Sequence, residues 1–172
     1  LTHSQTFQSP ASFTPDGERL AYNESLGGVA QLWTVSLTEE DGQLKAGTGE
    51  RFLTSSANDS SPSFSPDGRW LAYASAEAGG TEVFVRAFPQ PASGSGGRWQ
   101  ISTNGGTAPL WSRNGHDLFY HSGDHIMAAS YAVTGDTFVP GKPRVWVPTL
   151  VAPGRPNTYS WDLAPDGKRV AV

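Results

Sequence analysis

The side chains best suited to chemistry in this sequence lie in one short histidine-rich stretch. His116, His121 and His125 stand close to Asp117 and Asp124. Imidazole and carboxylate groups bind Zn²⁺ and similar ions, and His121, Asp124 and His125 would be the ligand set. These three surround a Ser-Gly-Asp turn, where two imidazoles need not converge on one ion. We therefore expect a polar strand connection with solvent-facing histidines, and no metal site.

No motif for nucleophilic or acid–base catalysis accompanies the histidines. The chain has no cysteine, which excludes thiol nucleophiles, thiolate metal sites and disulfides. The segment 94–96 lacks the Gly-x-Ser-x-Gly pattern of a nucleophile elbow, and the acidic residues 39–41 are adjacent, so their side chains diverge. No glycine-rich phosphate-binding loop follows a strand pattern. The sequence therefore predicts that the chain has no catalytic residue, binds no cofactor and is not an enzyme.

Composition and net charge argue against two kinds of binding partner, nucleic acids and the membrane interior. Lys and Arg number 12 against 16 Asp and Glu, which gives a net charge of −4, and no basic run occurs. This balance argues against nucleic-acid binding. No apolar run approaches the ~20 residues of a membrane-spanning helix, so we expect no membrane insertion. Six Trp, five Tyr and eight Phe in 172 residues predict a folded domain with a sizeable core.

A repeat supplies the elements that must position any site. The same turn signal occurs four times, at intervals of about 50 residues, at Asp16, Asp67, Asn114 and Asp166. A large apolar residue stands three positions earlier, and further apolar residues stand four and six positions later. Alternate residues share one face of a strand, so each copy predicts two strands joined by a tight turn. The residues expected to pack between repeats are Phe13, Leu20, Tyr22, Phe64, Leu71, Tyr73, Trp111, Leu118, Tyr120 and Leu163.

Two further strands follow in each repeat. The third is predicted at 32–35, 83–85 and 126–128, and the fourth, beginning with Arg, at 51–53, 98–101 and 144–147. No segment has a sustained helical period; the best candidate, 38–44, is broken by Gly42 and predicts a solvated loop. Units of four short strands every ~40–50 residues indicate an all-β protein of β-propeller blades, each of four antiparallel strands. A β-sandwich with coincidental turns is the alternative.

The segment SFSPDGRWLAY (63–73) resembles the signature of WD40-like, TolB-type β-propeller repeats, and the resemblance covers nearly the whole chain. The first two units match best, since the third has Arg113-Asn114-Gly115 in place of Pro-Asp-Gly. Residues 101–147 are similar to the propeller region that follows bacterial serine/threonine kinase domains, although no kinase motif is present. The resemblance implies a bacterial protein in the periplasm or another extracytoplasmic compartment.

The repeat predicts about three and a half blades, and so a partial propeller. We expect residues 1–7 to be the tail of a preceding blade, 8–57, 58–105 and 106–151 to be blades, and 155–172 to be half a blade. Propellers usually have ~4–8 blades, and uncovered apolar sheet faces favour association. We therefore expect self-association, in which two copies would make seven blades, or else the remainder of a longer propeller.

The strand order also predicts where ligands bind. The connections from second to third strand and the links between blades lie at one end of each blade. The resemblance implies binding at that end and at the central channel. The polar residues predicted on this surface are Glu24, Asn58, Asp59, Glu77, Asn104, His121, Asp124, His125, Arg155 and Asn157. The third-to-fourth connections, 38–50, 89–97 and 134–142, are rich in Gly, Ser and Pro and predict flexible linkers.

These features predict a non-catalytic β-propeller module that binds protein or peptide, in a scaffold or sensor role. The main alternative is the substrate-gating propeller of a prolyl-oligopeptidase-like serine peptidase, whose catalytic domain would lie outside this chain. A sensor behind a kinase domain and a propeller enzyme with a metal in its channel are further alternatives. Trp33, Trp99 and Trp146 fall within apolar strands, so we expect them to cover blade edges rather than stack on ligands.

Overall fold

The computed structural model describes residues 5–77, 79–91, 96–148 and 161–171. Within those ranges every regular element is a β-strand, and no helix is present that could cross a membrane. The strands form four antiparallel sheets in chain order, which we number as blades 1 to 4. The predicted all-β architecture is confirmed.

Blade 1 contains β1 (Phe7–Phe13), β2 (Arg19–Leu26), β3 (Val29–Glu40) and β4 (Gln43–Arg51). Blade 2 contains β5 (Asp59–Phe64), β6 (Trp70–Ser75), β7 (Glu82–Ala87) and β8 (Arg98–Gln100). Blade 3 contains β9 (Thr107–Trp111), β10 (Asp117–Ser122), β11 (His125–Thr134), β12 (Thr137–Pro140) and β13 (Arg144–Val147). Blade 4 is described as a hairpin of β14 (Asp162–Leu163) and β15 (Val170–Ala171).

The repeated turn is built by side-chain hydrogen bonds. In blade 1, Asp16 Oδ1 accepts from the Thr14 hydroxyl (2.6 Å) and from the Glu18 amide (3.0 Å), while Gly17 takes a φ of 77°. In blade 3, Asn114 Oδ1 accepts from the Ser112 hydroxyl in the same way (2.6 Å). An amide oxygen therefore replaces the carboxylate, and the third turn forms without the Pro-Asp pair.

The core lies between the blades. Alternate residues of β6 face opposite sides, so Leu71 and Tyr73 join the cluster with blade 1, while Trp70 and Ala72 join the cluster with blade 3. The residues predicted to pack between blades are buried, with one exception. Among the buried residues, Leu20 and Tyr22 lie within blade 1 rather than between blades, in a cluster with Val35 and Leu37. Phe13 is 54 % exposed, because no described sheet covers the outer face of blade 1. In blade 2 the equivalent Phe64 is buried by blade 1.

Two of the connections predicted to be flexible linkers are tight hairpins, so that prediction is wrong for them. β3 and β4 are joined by Asp41 and Gly42, with φ of 55° and 73°, and they stay paired up to Glu40 and Gln43. Positive φ at both positions suits the two-residue turn that matches the twist of the strands. Gly135 and Asp136 join β11 to β12. In the third connection, residues 92–95 lie outside the described part of the chain.

The fourth strands do not share a start at arginine. Arg51 ends β4 and lies opposite Trp33, whereas Arg98 begins β8 and lies opposite Arg86. The equivalent residues are Phe52 and Ile101, whose amides donate to Leu32 and Val83. The arginine spacing therefore predicted the strand correctly in blades 2 and 3, where β8 and β13 begin at Arg98 and Arg144, but placed it too late in blade 1, where the hairpin lengthens β4.

Candidate functional site

The connections from second to third strand and the links between blades meet at one end of the molecule, which we call the link end. The side-chain oxygen of Asn58 accepts a hydrogen bond from the Ala30 amide (2.8 Å), and the main-chain carbonyl of Asn58 accepts one from the Ala76 amide (3.1 Å). One link thus touches the connections of both blades beside it. Around the next link, the Gly106 amide donates to Thr81 O (2.9 Å) and the Ser122 hydroxyl donates to Asn104 O (3.4 Å). These contacts hold the connections of blades 1 to 3 together.

Several residues predicted for this surface are exposed or half-buried there. Glu24 accepts hydrogen bonds from Thr6 (2.5 Å) and Gln8 (3.0 Å), and Glu77 forms an ion pair with Arg98. The remaining exposed or half-buried members of the predicted set are Asn58, Asn104, Asp124 and His125. Arg155 and Asn157 lie outside the described residues.

Asp59 is buried at the seam between blades 1 and 2 rather than presented to a ligand, which corrects its predicted exposure. It begins β5 and is only 1 % exposed. Loss of water around the charged form raises the pKa of Asp59 above its ordinary 3.8, while hydrogen bonds from Ser75 and Ser55 work in the opposite direction. Its Oδ1 has no hydrogen-bond partner among the described residues. A carboxyl in this place serves the packing of the seam.

His121 is also buried, at 7 % exposure, and this again corrects the prediction of a solvent-facing histidine. It pairs with Ile126 in the β10–β11 ladder, whereas His125 pairs with Ser122. Paired residues share a face and neighbours alternate, so the two imidazoles lie on opposite faces of the sheet. The described residues hold no group of three His, Asp or Glu side chains placed to bind a metal ion.

In blade 1, the residue equivalent to His121 links two neighbouring blades. There the equivalent residue, Asn23, donates to Asp59 O (3.1 Å) and accepts from the Ser61 amide (3.2 Å), so it ties β2 to the first strand of the next blade. Sequence reasoning missed this role, and the residues beside Asn23, Tyr22 and Glu24, gave no signal for it. His121 Nε2 has no partner within the described ranges.

The three tryptophans predicted to cover blade edges pack on rings of their own sheets. Trp33 stacks on Tyr22, with centroids 6.5 Å apart, and Trp99 meets Trp70 edge to face at 5.4 Å. Trp146 packs on Phe119 at 4.6 Å. Each ring is therefore engaged in protein packing.

Sequence reasoning also missed a cleft between blades 1 and 2, which we call the Arg86 cleft. Its volume is about 290 Å³, and its walls include Phe52, Leu53, Ser55, Tyr73, Arg86 and Gln90. Arg86 Nε donates to Tyr73 Oη (3.2 Å), and Gln90 Nε2 donates to Phe52 O (2.9 Å). Burial raises the pKa of Tyr73 above its ordinary 10.0, although the hydrogen bond from Arg86 opposes this. The signal in the sequence was Arg86 alone, a cation within an apolar strand.

Successive antiparallel sheets pack on one another through shared apolar clusters; the first two have four strands, the third has five, and the fourth is described as a two-stranded hairpin. They define a partial β-propeller of about three and a half blades. Its fold is that of the TolB-type propellers. The structure is similar to a protein assigned as TolB from Agrobacterium tumefaciens, with a TM-score of 0.57, 17 % identity, and coverage of 83 % of this chain and 50 % of that one. It is similar also to TolB from Acinetobacter baumannii, with a TM-score of 0.57, 18 % identity, and coverage of 99 % and 44 %.

The chain therefore spans about half the length of the solved structures that it matches. No protein-family model matches this sequence. At such low identity the similarity shows the fold, and function has to be argued from this chain's own surface.

Proposed function

We propose that this chain is a non-catalytic β-propeller module that binds a protein or peptide at its link end. The observation that carries the proposal is the meeting of polar connections from three successive blades on one surface. Asn104, Asp124 and His125 are exposed or half-buried there, on connections fixed by hydrogen bonds between neighbouring elements. Loops held by a rigid scaffold are the usual place for recognition.

The chemistry of the link end suits a polar protein surface. It offers carbonyl and amide groups, the Glu77–Arg98 ion pair and the adjacent Asp124 and His125, whose Oδ1 and Nδ1 atoms are 3.8 Å apart. Direct hydrogen bonds and a polar rim are normal features of transient protein interfaces. The extracytoplasmic location implied by the sequence resemblance forms part of the same proposal, as does a scaffold or sensor role.

The test is selection from a random peptide library displayed on phage, followed by affinity measurements with the selected peptides. A triple variant at the link end (Asn104→Ala, Asp124→Ala and His125→Ala) should weaken binding at least tenfold. A matched triple variant at the opposite end (Glu18→Ala, Arg113→Ala and Lys168→Ala) should retain it. Equal binding by both variants, or a loss in the second alone, would overturn the proposal.

The proposal includes a second surface, the outer face of blade 1. Phe13 is 54 % exposed on it, beside Leu20 and Tyr22, which are buried within blade 1. In blades 2 and 3 the residues equivalent to Phe13 are Phe64 and Trp111, and each is buried by the preceding blade. A surface shaped to receive a blade is best covered by one, either from a longer propeller or from a second copy of this chain.

A further inference from the structure

We infer that the Arg86 cleft binds a carboxylate group of a peptide ligand, with Arg86 as its charge partner. The inference deepens the proposed function and rests on it, because the ligand is taken to be a peptide. The cleft is distinct from the exposed link-end residues used to test that function. Its walls come from the segment after β4 in blade 1 and from β6 and β7 in blade 2.

The first argument is the unmatched charge of Arg86. Its Nε–H is used by Tyr73, and no carboxylate in the described part of the chain pairs with the guanidinium. Five other arginines, Arg19, Arg69, Arg98, Arg144 and Arg169, each form an ion pair with a described Asp or Glu, whereas Arg51 and Arg113 form none with a described residue. A half-buried cation without a counter-charge is costly, and a guanidinium fork matches the two oxygens of a carboxylate.

The second argument is that the one carboxylate among the described residues lining the cleft is already paired with another arginine. Glu77 lines the same cleft, but it is paired with Arg98. Arg51 also lies close to the cleft, and one of its Nη groups donates a hydrogen bond to the carbonyl of Ser55 (2.6 Å). The cleft is therefore a locally cationic site on a chain whose net charge is −4. Such a site favours an anionic group from solution.

The third argument is the hydrogen-bonding capacity beside the charge. Tyr73 Oη accepts from Arg86, so its own O–H remains a donor for a second ligand oxygen. The Tyr73 ring is almost fully buried, which fixes the position of this hydroxyl. Arg86 and Tyr73 thus offer donors of two kinds to one carboxylate.

The fourth argument is the size of the cleft and its mixed lining, in which polar surface predominates. Phe52 and Leu53 are buried residues of its wall. A volume of about 290 Å³ is at the lower limit for a small-ligand site. It accommodates a carboxylate together with one apolar side chain rather than a long segment. A C-terminal carboxylate and an Asp or Glu side chain next to an apolar residue both provide this chemistry.

The experiment uses the full chain and three acetylated dipeptide probes. Acetyl-Ala-Phe with a free C-terminus carries a main-chain carboxylate, acetyl-Asp-Phe-amide carries a side-chain carboxylate, and acetyl-Ala-Phe-amide is the uncharged control. Binding is measured by NMR titration of the backbone amides and of the arginine Nε–H groups. We expect at least one carboxylate probe to bind tenfold or more tightly than the uncharged control, with shifts at Arg86 and at residues 52–55. The tighter of the two carboxylate probes identifies the source of the group.

Two variants and a control make the result specific. Arg86→Gln should reduce carboxylate binding at least tenfold, to the level of the uncharged probe. Arg113→Gln removes an exposed arginine from a distant turn and should have no effect. If Arg86→Gln lowers the melting temperature, Tyr73→Phe, which keeps the charge and removes the hydroxyl, should still weaken binding several-fold. Binding unchanged in Arg86→Gln, equal binding of all three probes, or no binding by any probe would overturn the inference.

The inference and the proposed function can fail separately. Selected peptides that depend on the link-end triple variant, together with no probe binding in the cleft, would leave the proposed function and remove the inference. Probe binding that depends on Arg86, together with no selected peptide at the link end, would place recognition in the cleft and overturn the proposed function.

Discussion

Asp59, at the seam between blades 1 and 2, makes the stability of the folded chain depend on pH. Its side chain is 1 % exposed, and the causes acting on its pKa are led by loss of solvation, which raises it. The neutral acid is therefore favoured in the folded state. The stability that this provides is fully present below the ordinary value of 3.8 and is lost as the pH rises through the folded-state pKa.

Asp59→Asn should consequently stabilise the chain at pH 7, because the amide resembles the neutral acid and keeps the hydrogen bonds with Ser55 and Ser75. We expect a rise in melting temperature of about 2–4 °C, as for ~1 kcal/mol in a domain of this size. The difference should disappear below pH 3.8. Thermal melts followed by circular dichroism across the pH range measure it.

Asp16→Asn is the control, with the opposite sign. The hydrogen bond from Thr14, then that from the Glu18 amide, lowers the pKa of Asp16. Its contribution is present above 3.8 and is lost as the pH falls through the lower folded-state pKa. A destabilised Asp59→Asn at pH 7, or a difference independent of pH, would contradict the account of the seam.

At the scale of the element, the repeated turn is where neighbouring blades meet through the backbone. Gly17 and Gly68 hold equivalent positions, with φ of 77° and 71°. A Cβ added at Gly17 would meet nothing within 4 Å, whereas one added at Gly68 would lie 3.1 Å from Pro15 Cδ in the turn of blade 1. The turn of blade 2 therefore lies against the turn of a preceding blade, whereas no described blade lies against the turn of blade 1.

Gly68→Ala should therefore destabilise the chain more than Gly17→Ala. Each substitution costs about 1 kcal/mol of stability for placing a side chain at positive φ. The contact with Pro15 increases the cost of Gly68→Ala further. Urea unfolding at constant m-value compares the two variants. Equal losses would show that the turns of blades 1 and 2 do not touch in solution.

The parts of the fold that the sequence predicted are those set by local chemistry. Asp or Asn before Gly determines the turn, and alternation along β6 determines which residues face blade 1 and which face blade 3. Glycine content alone predicts a flexible linker and does not reveal the hairpin at Asp41 and Gly42, whereas the order Asp-Gly specifies a tight turn.

The parts that the sequence did not predict depend on how blades are placed against each other. Asp59 and His121 are polar residues near strand ends, and only the neighbouring sheet decides that they are buried. The Arg86 cleft combines residues 52–55 of one blade with Tyr73 and Arg86 of the next. Phe13 shows the converse, since its pattern predicts burial and the covering blade is not among the described sheets.

At the scale of the whole molecule, the outer face of blade 1 is the feature that separates this chain from a closed ring. The chain, at the concentrations used for structural work, should self-associate through that face. Phe13→Asp should abolish association, since it places a charge where apolar contact is needed. Leu44→Asp is the matched control, because Leu44 is a similarly exposed apolar residue, at 56 %, on β4. Sedimentation velocity gives the oligomeric state of each variant.

Association that persists in Phe13→Asp but is lost in Leu44→Asp would show that the interface lies at the β3–β4 hairpin instead. A wild-type chain that remains monomeric at all accessible concentrations would contradict the prediction.

The most direct test of the central claim, that successive blades are arranged around an arc with their links at one end, is a set of spin-label distances. The chain has no cysteine, so cysteines can be introduced cleanly at Glu18, Arg69 and His116, which occupy the same position after each turn. Pulsed dipolar measurements should give similar distances for 18–69 and 69–116, and for 18–116 a distance that is longer but less than their sum. An 18–116 distance shorter than either, or two clearly unequal neighbour distances, would contradict the blade arrangement and every functional proposal built on it.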